Sequence, residues 1–270
     1  MTQGGGGHRA VGAAIVSTIV VVVALGLLIT SAPGWPAVKS TFLDWGQFKS
    51  SMPAIADAFL LNIKIFCISE VFILVFALLI AVMRSLRGPV FFPIRAIAVV
   101  YADFFRGVPT ILVIAMLGFG APGLAIEGVP TSTTFWGIVS LVLVYTAYVS
   151  EVYRAGIESV HTSQVAAARS LGLSRWQTLR RVILPQAVRR VIPPLLNDFI
   201  GLQKDTALVG TLGAVEAFQQ TQIDANATFN FTSYVAAAVL FVAITIPLAR
   251  FTDWLIARDR RRRQASGVAA

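Results

Sequence analysis

The chain returns repeatedly to apolar runs about as long as a membrane is thick. Val11 to Thr30 is the cleanest, 20 residues without a charge. As a helix it covers the ~30 Å of a hydrocarbon core. Similar runs cover residues 57–83, 93–120, 134–152, 191–213 and 233–256, the third broken near Gly107-Val108-Pro109 and the fifth weaker. The expectation is an all-α integral membrane protein with six transmembrane helices. Composition agrees, with 56% apolar and 13% charged residues, about half the charge of a soluble domain. A soluble enzyme is therefore excluded. A net charge of +9 suits nucleic acid only in a chain without such runs, so no nucleic-acid partner is expected. Cys67 is the only cysteine, which excludes an internal disulfide framework and any Cys-rich metal site. His8 and His161 have no metal-like partners nearby, and no catalytic or metal residue is expected. A signal peptide is the competing reading of the first run. Its apolar stretch is normally shorter and its leading end more basic than His8-Arg9, which favours a retained helix.

The cations sort to one side. Arg9, Arg84, Arg87, Arg95, the arginines between Arg154 and Arg190, Arg250, Arg258 and Arg260 to Arg263 border one set of segments. The opposite segments hold only Lys39 and Lys49. The positive-inside rule then puts both termini and the 154–190 segment in the cytoplasm, with 121–133 and 214–232 outside. The chain divides into a cytoplasmic tail (1–10), an N-terminal helix (11–30), an exposed extracytoplasmic connection (31–56), a main transmembrane domain (57–256) and a basic cytoplasmic tail (257–270). Gly4 to Gly7 reads as flexible. The Arg258–Arg263 run is expected to anchor the last helix on anionic lipid.

The cytoplasmic stretch 154–190 is too long for a simple turn. Val160 to Gly172 reads as a short helix, with Ala166-Ala167-Ala168 as strong formers and Gly172 at its C-terminal stop. Ser174 can cap a second helix from Arg175 to about Leu184, which Pro185 is expected to end. Two readings stay open on physics alone: an amphipathic element resting on lipid headgroups, or a docking site for a protein.

The run Ala166-Ala167-Ala168-x-x-x-Gly172, with Val182-Ile183-Leu184-Pro185 after it, resembles the EAA signature of ABC importer permeases. Glu151-Val152-Tyr153-Arg154-Ala155-Gly156-Ile157 before it, Arg169 to Ser174 within it, Pro185-Gln186-Ala187, Pro193 to Asn197 and Lys204-Asp205-Thr206 after it, and Phe105 to Pro109 upstream are similar to the polar amino-acid branch, the histidine, glutamine and glutamate type. The likeness covers about residues 57–256, with the first helix an addition to a five-helix core. It implies a permease subunit of the bacterial inner membrane, working with a second permease subunit, identical or homologous. A pair of ABC ATPases would bind ATP and Mg, and a solute-binding protein would deliver a glutamate- or glutamine-like or basic amino acid. The implied coupling residues are Ala166, Ala167, Ala168, Gly172, Leu173, Ser174, Leu184 and Pro185. Ala166 stands where the family has Glu, so one carboxylate contact is missing. No G-x-x-x-x-G-K-[ST] phosphate loop occurs in the chain, which fits ATP hydrolysis elsewhere and no cofactor in this chain.

Ionisable residues inside the spans are costly and usually functional. Spacing along continuous helices puts Glu70, Asp103, Arg106, Lys204 and Asp205 in the middle third, with Thr206 beside them. They are the candidate substrate pathway: Arg106 or Lys204 for a carboxylate, Glu70, Asp103 or Asp205 for an ammonium. The alternative is mutual neutralisation, above all between Asp103 and Arg106, one turn apart. Lys64 is expected to snorkel, Glu151, Arg154 and Glu158 to form a structural ion-pair row, and Asn197 to bond backbone freed near Pro193-Pro194. A stand-alone secondary transporter or channel fits the buried charges too. An integral-membrane enzyme would need a nucleophile, His or metal cluster that is not found.

Overall fold

The computed structural model describes residues 6–86 and 88–265, and of residues 6–10, 259, 260 and 262–265 the backbone only. The readings of Gly4, Gly5, His8, Arg9, Arg87 and the Arg260, Arg262 and Arg263 side chains lie outside them. Every regular element among the described residues is helical. Four helices are long and apolar enough to cross a membrane, or five spans if one bent pair is counted as a single crossing.

The first is α1 (Gly6–Thr30). Its residues 11–30 are all exposed, so it stands apart from the bundle. The 31–56 segment differs from the exposed connection expected of it. It contains α2 (Trp35–Phe42) and the first turns of α3 (Trp45–Ser85). Asp44 starts α3 by accepting from the Gly46 and Gln47 N–H groups at 2.8 and 3.2 Å. Pro53 lies inside the helix. At 41 residues, α3 is ~60 Å long, about twice the hydrocarbon thickness, so it projects beyond it. The α2–α3 corner is tied to the far end of the chain. Phe231 N–H donates to the Thr41 carbonyl at 2.8 Å, and Asp44 N–H to Thr232 Oγ1 at 3.1 Å. Phe42 stacks on Phe231.

The third apolar run forms two helices, α4 (Phe92–Gly107) and α5 (Thr110–Gly123), bent by 101°. Val108 precedes Pro109, which excludes it from helical backbone, and it adopts an extended conformation (φ −92°, ψ 130°). Helix α6 (Thr133–Glu158) is the centre of the molecule. Leu141, Val144 and Ala147 are fully buried on it, and α3, α4, α5 and α9 pack around it.

Two short helices follow, α7 (Thr162–Ser170) and α8 (Arg175–Thr178). Pro185 does not end the second, contrary to expectation. A π-turn, Leu179–Ile183, leads directly into α9 (Leu184–Asp205). Pro185 occupies the first turn of α9, where a missing N–H costs least, and the wider π-turn absorbs the ring's bulk. A 3-10 turn (Thr206–Leu212), α10 (Ala217–Thr228) and α11 (Thr232–Ala265) complete the chain. Helix α9 carries Arg189, Arg190, Asp198, Lys204 and Asp205, too much charge to face lipid. It packs on α6 and α11 instead.

Helices α6 and α9 approach closely because Gly156 faces Val191 and the Ala187 carbonyl, where a Cβ would overlap the Val191 side chain. Small residues at such crossings let membrane helices touch. Gly156→Leu is expected to force the pair apart and cost about 1–3 kcal/mol, the usual range for overpacking. Its thermal midpoint in detergent should fall, while Gly120→Leu, facing open space, should leave it unchanged.

Candidate functional site

The 159–183 segment is a helix–bend–helix built by local chemistry. Gly172 takes φ +81°. Its N–H donates to the Arg169 carbonyl at 3.0 Å, and Leu173 N–H to the Ala168 carbonyl at 3.2 Å. These are the two bonds of a Schellman stop. Ser174 caps α8: its Oγ accepts from Gln177 N–H at 3.2 Å, and Ser174 N–H donates to Gln177 Oε1 at 2.8 Å. This reciprocal capping box fixes the second helix against the first. Ala168 is buried; Ala166 and Ala167 are exposed. Leu171 at 84% and Trp176 at 67% exposure stand bare on either side of the bend. Leu184 and Pro185 are also exposed, and Leu173 is half-buried.

Along the α6/α9 seam runs a column of polar groups. The helices are antiparallel, with Gly156 against Val191 and Tyr145 against Asp205. At one end Arg190 donates to the Ser159 carbonyl, and Arg154 bridges Glu158 and Glu151. Glu151 is a hub, since Arg84 of α3 reaches it at 2.6 Å and Arg106 of α4 at 3.8 Å. Asp198 and Tyr148 come next, then Tyr145, whose hydroxyl donates to Asp205 Oδ2 at 2.9 Å. From Ser159 to Tyr145 the column rises ~21 Å. A chamber of about 360 Å³ opens on it between Arg106, Tyr148, Glu151, Arg190 and Asp198. A second groove, of about 520 Å³ between α3, α4 and α6, is lined by apolar residues such as Phe72 and Phe76. It has no charged lining group.

The predicted pathway residues separate. Arg106 pairs with Glu151, while Asp103 is exposed and forms no ion pair among the described residues. Arg106 turns to Glu151 of α6 rather than to Asp103, one turn away on its own helix. Glu70 is 7% exposed on α3. Lys204 is exposed, and Asp205 bonds Tyr145. Thr206 is fully buried in a different network. Asn197 is exposed and makes no side-chain hydrogen bond among the described residues.

That different network was not anticipated. Glu216, 0% exposed, caps α10 by accepting from Phe218 and Gln219 N–H at 2.9 Å each. Asn62 of α3 donates to Glu216 Oε2 at 2.9 Å and to Thr206 Oγ1 at 3.1 Å, and accepts from Ala217 N–H at 3.0 Å. Two backbone donors at the α10 N-terminus and one side-chain amide meet the buried carboxylate in place of a cation. Asn62→Leu should leave donors and a carboxylate short of partners, costing about 1–3 kcal/mol or more. The measurement is the thermal midpoint in detergent, which should fall clearly; an unchanged value would show that the network carries no stability.

Comparisons with known proteins agree with one another. The family described as "Binding-protein-dependent transport system inner membrane component" matches residues 73–262. "Probable amino-acid permease protein YxeN" of Bacillus subtilis (strain 168) is 33% identical over 205 residues, 76% of this chain and 90% of that protein. "Probable glutamine ABC transporter permease protein GlnM" of the same strain is 34% identical over 179 residues, 65% of this chain and 79% of that one. The solved "Crystal structure of an amino acid ABC transporter with histidines" superposes with a TM-score of 0.73 at 26% identity. It covers 80% of this chain and 98% of the other.

Proposed function

The chain belongs to the binding-protein-dependent transport system inner membrane components, multi-pass permease subunits of ABC transporters rather than enzymes, and from that premise we propose that it imports a polar amino acid. The substrate class follows the relatives named as amino-acid and glutamine permeases. Glutamate-like, glutamine-like and basic amino acids are the candidates. In this reading a solute-binding protein delivers the amino acid from outside. A pair of ATPases holding ATP and Mg works from inside, and a second permease subunit completes the pathway.

One observation carries the reading. The Gly172 bend projects two capped helices with Leu171 and Trp176 bare, an apolar knob at an otherwise arginine-rich face. Bare apolar side chains of that kind favour a protein partner over a purely electrostatic lipid contact. Ala166, Ala167, Ala168, Gly172, Leu173, Ser174, Leu184 and Pro185 are proposed to form the coupling element. Six spans, with both termini in the cytoplasm and the bacterial inner membrane as the site, remain the topology that the charge sorting supports. The polar α6/α9 seam is proposed as part of the pathway, drawing Arg106 and Asp205 into it. Glu70, Asp103 and Lys204 stay proposed on depth alone, and Thr206 is proposed to support the wall.

The test is purification in mild detergent followed by uptake in proteoliposomes. An ATPase should co-purify, and a panel of labelled amino acids should show ATP-dependent uptake of a few polar members. Full uptake with no ATPase present would replace this reading with a secondary transporter or channel.

A further inference from the structure

The seam chamber holds two features that a merely structural ion-pair cluster does not explain. The first is Asp198. Its Oδ2 is buried and has no hydrogen-bond partner. A carboxylate oxygen left bare at membrane depth is costly, and such groups are normally paired. Arg190, on the same chamber wall, is committed to the Ser159 carbonyl. Asp198 forms no ion pair among the described residues.

The second feature is Arg106, on the same chamber wall. Of the three arginines around Glu151 it is the loosest. Arg84 sits at 2.6 Å and Arg154 is bonded directly, whereas Arg106 stands at 3.8 Å with 40% of its side chain exposed. Glu151 keeps two strong partners if Arg106 turns away. Arg106 can therefore offer its guanidinium fork to an incoming carboxylate without leaving a bare anion behind. Tyr148 holds the Arg106 backbone, its hydroxyl donating to the Arg106 carbonyl at 3.4 Å. An unpaired carboxylate and a spare cation thus line one chamber, whose volume of about 360 Å³ lies within the ~300–1,000 Å³ typical of small-molecule sites.

We propose that this chamber binds the main chain of the transported amino acid, with Asp198 taking the α-ammonium and Arg106 the α-carboxylate. The assignment rests on the amino-acid reading above and sharpens it. The permease reads the zwitterion that all amino acids share, so the choice among side chains falls mainly to the binding protein. Asp198 is not among the pathway residues that spacing predicts, and its role is visible only where α9 meets α6.

The test measures binding of a labelled amino acid, chosen from the uptake panel, to the purified permease–ATPase complex without the binding protein. On the wild-type chain, the unlabelled amino acid should compete fully. Its N-acetyl derivative, which lacks the ammonium, and its decarboxylated amine, which lacks the carboxylate, should each compete at least tenfold more weakly. Asp198→Asn and Arg106→Gln should each raise the dissociation constant at least tenfold, with Asp198→Glu and Arg106→Lys retaining more affinity than either. Equal competition by all analogues, or unchanged affinity in Asp198→Asn and Arg106→Gln, overturns the site while leaving the importer reading intact. The analogue series decides even if a variant fails to fold. A wild-type complex that neither binds nor takes up any amino acid overturns the amino-acid reading itself, and the site with it.

Discussion

Gly172→Val is expected to bring ATP-driven uptake down to the level of vesicles without ATP, while membrane insertion and the thermal midpoint of the bundle stay near wild type. The reason is local. Gly172 sits at φ +81°, and a β-branched residue there is strained by about 1–3 kcal/mol. Nothing lies within 4 Å of the position where a Cβ would stand, so the strain comes from the backbone conformation and not from crowding. The chain relieves the strain by turning elsewhere, which breaks the bonds from Gly172 and Leu173 N–H to the Arg169 and Ala168 carbonyls. Helix α7 then loses its fixed angle to α8, and Leu171 and Trp176 no longer present one surface. Because the site is open, steric bulk is not the cause. Asn tolerates left-handed backbone best among side-chain-bearing residues, so Gly172→Asn should retain a measurable part of the uptake that valine abolishes. Equal loss in both variants would point to the side chain blocking the partner's surface. Wild-type uptake in Gly172→Val would remove the bend from the coupling mechanism.

The bend was legible because its signals are local. Gly after a helix and Ser before the next act within a few residues, and both are found where the pattern puts them. Pro185 failed by the same logic, since a proline that stops one helix can equally open another, and the π-turn that joins them has no sequence mark. The apolar runs gave the helices but not their ends. α3 begins at Trp45 rather than near Asp57 because Asp44 caps it, and the preceding prolines and glycine masked that. Charges were hardest to read. Spacing within α4 sets Arg106 beside Asp103, but its partner Glu151 lies on another helix, and a contact between helices leaves no mark in the spacing of one. The lock at Glu216 depends on Asn62, 154 residues away in sequence. Only the fold brings them together.

The Glu151 hub makes the second large prediction. Glu151→Gln preserves shape but removes the one anion shared by three arginines. Arg84 is only 11% exposed at its side chain, so its charge would lose its counterion with little water to replace it. Removing one member of a buried pair costs ~3–5 kcal/mol. Glu151 itself is 21% exposed, and that partial hydration places the expected loss at about 3 kcal/mol, the lower end of that range. Helices α3, α4 and α6 should part where the hub joined them, seen as a sharply lower thermal midpoint and a lower yield of monodisperse protein. The converse variant separates charge from packing. Arg84→Met combined with Glu151→Met removes both charges of the pair that joins α3 to α6, and apolar replacement of a whole pair is often neutral. The double variant should therefore be more stable than Glu151→Met alone. Arg106→Met should cost little stability, because that arginine is the loosely held and more exposed member. If Arg106→Met unfolds the protein as readily as Glu151→Gln, Arg106 is a fixed part of the hub and is not free to meet a ligand. If Glu151→Gln melts like wild type, the hub is not what joins the three helices.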